Sequence, residues 1–74
     1  MPDREQILRE LTHKDDGLDT SRRVYYTLAP AADKQVTTMA HNTARLVALL
    51  IEQLEKSGKL TAHEIDDMLL QIVT

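Results

Sequence analysis

The chain has 74 residues, 9 lysines and arginines against 12 aspartates and glutamates, a net charge of -3, and no cysteine. That length makes one domain, residues 1–74, whose core supplies only a few kcal/mol of net stability, and without cysteine neither a disulfide nor a thiolate metal site can add to it. The charge is too mild for a whole-molecule field that gathers nucleic acid, so any such binding has to be local.

Association with another chain is the remaining common support for so small a fold. The opening Met1-Pro2-Asp3-Arg4-Glu5 is charged where a secretion signal needs an apolar run, and the run from Leu46 to Ile51 is too short to cross a bilayer, so a cytoplasmic protein with no membrane contact is expected. Phe and Trp are absent and only Tyr25 and Tyr26 supply aromatic rings of that kind, which calls for an aliphatic core.

In chain order, Pro2 suits a first helical turn because its missing N–H has no intrahelical partner there, and Asp3 and Glu5 follow where the helix dipole favours negative charge. A first helix is expected over residues 3–15, with Ile7, Leu8 and Leu11 as a narrow buried edge, Gly17 as its terminator and Leu18 folding back beyond the cap. Residues 19–30 admit two readings. Val24, Tyr26 and Leu28 alternate with Arg23, Tyr25 and Thr27, the pattern of a half-buried strand. A short helix capped by Asp19, Thr20 or Ser21 and closed by Pro30 instead places Val24, Tyr25 and Leu28 at i, i+1, i+4. The strand is the preferred reading, and since the chain offers no second strand, its partner would be another copy.

Residues 33–56 form the organising stretch, an apolar-striped segment of roughly six or seven helical turns. Heptad spacing puts Val36, Ala40, Thr43, Val47, Leu50 and Leu54 on one seam, which Met39, Ala44, Leu46 and Ile51 widen on both sides. A face so broad exceeds what the flanking helices can cover, and excess apolar surface marks association. Self-association is therefore expected through Val36, Ala40, Val47, Leu50 and Leu54. Gly58 ends this helix at no Cβ cost. Thr61-Ala62-His63-Glu64 then spells a capping box, opening a last helix with Ile65, Met68, Leu69, Ile72 and Val73 on one face and Glu64, Asp66 and Asp67 toward solvent. The carboxyl half thus reads as a helical hairpin or an angled helix pair.

Residues 53–64 overlay parts of a calcium loop, with Gly58, Thr61 and Glu64 at its positions 6, 9 and 12, but Gln53 stands where the loop needs aspartate. A glycine cap followed by a capping box explains the same residues. His13, His41 and His63 fall in three different elements, and His63 with Asp67 makes two ligands at most. No phosphate loop, nucleophile elbow or acid pair in an apolar setting is visible, so no metal, no cofactor and no enzymatic activity are expected.

Residues 54–65 resemble the opening of winged helix–turn–helix domains, which implies a helix, a glycine turn and a capped helix there. A wider resemblance runs from Arg22 to Pro30, through the long helix, to Gly58, Thr61, Glu64 and Ile65, in the order of a ribbon–helix–helix repressor. It implies a two-chain ribbon in the major groove with Arg23, Tyr25 and Thr27 facing DNA and Val24, Tyr26 and Leu28 facing the core. The expectation is a mostly α-helical homodimer: a non-enzymatic interaction or regulatory module that binds another protein through apolar helix faces. The alternative is a ribbon-type DNA-binding transcriptional regulator.

Overall fold

In a computed structural model, which describes residues 3–28 and 38–74, the chain forms α1 (Arg4–Leu11), α2 (Thr20–Leu28), α3 (Thr38–Lys56) and α4 (Ala62–Val73). The all-α expectation holds, and there is no strand among the described residues.

Helix ends are set by where their free N–H and C=O groups find partners. Asp3 caps α1, its Oδ1 accepting the Gln6 N–H at 2.8 Å. At the other end the Leu8 carbonyl collects the Thr12 N–H at 3.2 Å, the Thr12 hydroxyl at 2.5 Å and the Lys14 N–H at 3.4 Å, and His13 turns into the left-handed region at φ 58. The helix therefore stops at Leu11, short of the expected residue 15, and Gly17 (φ 73) serves the link to α2 rather than the helix end.

Residues 20–28 are helical, which corrects the preference for a strand. Asp19 caps α2, Oδ1 accepting the Arg22 N–H at 2.9 Å and its carbonyl the Arg23 N–H at 3.0 Å. Two carboxylates of α3 complete the job: Glu52 accepts the Ser21 N–H at 3.0 Å, and Glu55 accepts the Thr20 hydroxyl. Inside the helix, β-branched Thr27 returns its hydroxyl to the Arg23 carbonyl at 2.9 Å. The ribbon arrangement needs a strand at this segment, so it does not form.

The turn after α3 is a Schellman motif around Gly58 (φ 78), with the Lys59 N–H on the Leu54 carbonyl at 2.9 Å and the Gly58 N–H on the Glu55 carbonyl at 3.0 Å. The capping box of α4 is complete: Thr61 Oγ1 accepts the Glu64 N–H at 3.1 Å and Glu64 Oε1 accepts the Thr61 N–H at 3.0 Å. These bonds consume the residues that overlaid a calcium loop.

The broadest helix pairing is α2 on α3, with α1 and α2 both leaning on α4. Ala44 and Ala48 form the buried strip of α3 against which α2 lies, short side chains that allow a close approach. Val24, Ala48, Ile65 and Leu69 make the core, with Val47, Ile51, Leu60 and Met68 packed around it, and Leu8 of α1 is fully buried.

One charge lies inside. Asp66, expected toward solvent, is buried at 4% exposure because two cations meet it there. Lys14 Nζ donates to Oδ2 at 2.7 Å, and Arg23 Nη1 lies 2.7 Å from Oδ1, a charge contact without hydrogen-bond alignment. Arg23 also donates to the Thr12 carbonyl and to Thr12 Oγ1, each at 2.9 Å. Burial pushes the Asp66 carboxyl up, but the Lys14 hydrogen bond and the close Lys14 and Arg23 charges outweigh it and hold the group below its usual range. Next to it, Arg4 pairs with Asp67 at 2.7 Å. Thus α1, the loop after it and α2 are all fastened to one turn of α4.

Candidate functional site

Packing α2 onto the alanine strip decides which face of α3 is left outward. Met39 is 78% exposed, Leu46 58%, Leu49 49%, Leu50 54% and Leu54 39%. Met39, Thr43, Leu46, Leu50 and Gln53 follow the 4-3-4-3 spacing of a heptad seam, with Leu49 and Leu54 beside it. Along that seam no residue carries a charge. A helix normally turns its polar stripe outward, and this one keeps apolar residues on both faces.

The residues expected to carry self-association divide across this geometry. Leu50 and Leu54 lie on the outward row, and Ala40 is exposed. Val47 is half-buried and packs toward the core. Val36 lies outside the described residues. The outward row therefore sits rotated from the expected seam: Met39 and Leu46, read only as widening it, are at its centre, and Leu49 adds to its edge. Ala48, buried at 2%, was not singled out from the sequence at all. Its signal was the Ala44/Ala48 pair at i, i+4.

The three residues expected to face DNA are engaged elsewhere. Arg23 is committed to Asp66 and Thr12. The Tyr25 hydroxyl bonds to His41 Nδ1 at 2.5 Å, and Thr27 is buried at 8% exposure.

A second feature lies between α2 and α3, where a concavity of about 390 Å3 is lined by Arg22, Tyr25, Tyr26, His41, Arg45 and Leu49, among others. Its rings contact one another edge-on: Tyr25 and His41 have centroids 5.3 Å apart, and Tyr25 and Tyr26 5.6 Å. His13 continues the series from the other side, 6.1 Å from Tyr26.

Among the described residues no group of three or more His, Cys, Asp or Glu side chains could hold a metal ion. His63 and Asp67 are 3.5 Å apart, and His13 and Asp16 are 2.9 Å apart, each a pair and nothing more. No described helix is long and apolar enough to cross a membrane. No protein-family model matches the chain, and no curated protein or solved structure matches it either.

Proposed function

We propose that this chain is a small, cytoplasmic, non-enzymatic interaction module that pairs with a second copy through the outward face of α3 and regulates a further protein in that form. The observation that carries it is the uncharged row of Met39, Leu46, Leu50 and Leu54. Together with Leu49 these side chains are between 39% and 78% exposed on one helix, and a concentration of exposed large apolar side chains marks association. A stable interface buries about 800 Å2 per partner, so the row can form the apolar centre of one, with the neighbouring polar residues as its rim. Thr43 and Gln53 interrupt the seam with neutral polar groups, the kind of residue that sets register in paired helices.

Light scattering over a dilution series tests the pairing. Wild type is expected to give twice the chain mass, and Leu50→Asp, which places a charge at the middle of the seam, is expected to give the mass of one chain with an unchanged helical spectrum. Leu50 is more than half exposed, so its replacement spares the fold. A wild-type monomer at all concentrations, or an unchanged dimer in the Asp variant, removes the seam.

A further inference from the structure

The concavity between α2 and α3 differs in charge from the rest of the chain. Among the described residues no carboxylate lines it, although the chain carries 12 Asp and Glu. Two acids close in sequence to its lining residues are already occupied. Asp19 caps α2, and Glu52 takes the Ser21 N–H at 3.0 Å and lies 3.3 Å from Lys56. Arg22 and Arg45 both line the concavity and both are exposed, and among the described residues neither guanidinium makes an ion pair or a hydrogen bond. Two guanidiniums bordering one hollow, of which Arg22 feels the capping Asp19 only through a longer-range charge interaction, favour an anion, and their planar forks favour one with several oxygens in fixed geometry. A single arginine fork already saturates a carboxylate, whereas the three oxygens of a phosphate can serve two.

Three rings, with Ser21, Ala48 and Leu49, complete the described lining. Tyr25 makes T-shaped contacts with Tyr26 and with His41, and the 2.5 Å bond from the Tyr25 hydroxyl to His41 Nδ1 fixes those two rings against each other. Such a wall suits a flat apolar body. At about 390 Å3 the hollow has the size of small-ligand pockets and more room than a bare oxyanion fills.

We infer that this groove binds an aryl phosphate, with Arg22 and Arg45 holding the phosphate and Tyr25 and Tyr26 flanking the ring. The site shares only Leu49 with the pairing face proposed for α3, and Leu50→Asp leaves Arg22, Tyr25, Tyr26, His41 and Arg45 in place, so the two are tested separately.

The test is an NMR titration of the whole chain with phenyl phosphate, and separately with inorganic phosphate and with phenol. Phenyl phosphate is expected to give saturable shifts at the amides of Arg22, Tyr25, His41 and Arg45, and both reference compounds are expected to bind at least about tenfold more weakly. Arg22→Ala and Arg45→Ala should each weaken phenyl phosphate about tenfold, with far-UV circular dichroism unchanged because both side chains are on the surface. Absence of saturable shifts at these amides, equal affinity for inorganic phosphate, or undiminished binding by the double variant each overturns the proposal.

Discussion

Replacing Asp66 by Asn keeps the shape of the most deeply buried acid and removes its charge, so the cost reads the ionic network directly. Removing one partner of a buried ion pair costs about 3–5 kcal/mol when the other is left stranded. Here the stranding is incomplete. Lys14 keeps a third of its side chain in water and can rehydrate, while Arg23, only 12% exposed, retains its two bonds to Thr12. The expected loss is therefore about 2–3 kcal/mol. A domain of this size has roughly 4–11 kcal/mol to lose, at about 0.05–0.15 per residue. Urea unfolding followed by circular dichroism, with a slope near 1 kcal/mol per molar, should show the midpoint falling by about 2–3 M. The pH dependence has a fixed sign. The folded carboxyl lies below its ordinary value of 3.8, so the unfolded chain takes up the proton first. Its stabilisation is then fully present above that value and is lost as pH falls through the lower folded value. Asp66→Asn should flatten this acid limb. A variant within about 0.5 kcal/mol of wild type at neutral pH, with the acid limb intact, would refute the account.

Two further substitutions probe the helix ends and the α2–α3 contact. Thr61→Ala removes the hydroxyl that accepts the Glu64 N–H, leaving the Glu64 carboxylate on the position-61 backbone N–H, and should cost about 1 kcal/mol in chemical denaturation; no measurable loss would mean the hydroxyl half of the box contributes nothing in solution. Ala48→Leu forces a large side chain into the strip where α2 lies and should destabilise by about 1–3 kcal/mol despite its better hydrophobicity. A neutral or stabilising result at position 48 would show that α2 and α3 do not approach closely there.

What could be read from the sequence was local. The Gly58 terminator and the Thr61–Glu64 box involve residues within a few positions of one another, and both stand as expected. The strand preference for residues 19–30 failed because the deciding bonds come from α3: Glu52 reaches Ser21 across 31 positions, and Glu55 reaches Thr20 across 35. Val-Tyr-Tyr has a β bias worth little against a fully satisfied helix start. Asp66 was misplaced for the same reason, since Lys14 lies 52 positions away and nothing near Asp66 in sequence announces it. The breadth of the apolar face on the long helix was legible, but its inner side was not. With apolar residues nearly all round, the partner chooses, and α2 chose the alanines. Arg22 and Arg45, from two different helices, share a groove only once those helices pack.

The series of ring contacts from His13 through Tyr26 and Tyr25 to His41 also determines what light can report from this molecule. With no tryptophan and both tyrosines adjacent on α2, every near-ultraviolet signal originates at one corner, where α2 meets α3. Far-ultraviolet dichroism samples all four described helices. The same melt recorded at the two wavelengths is thus a built-in comparison of a local and a global probe. Coincident curves mean that the α2–α3 corner and the Asp66 clamp on α4 come apart in one step, and separated curves mean that they are distinct cooperative units.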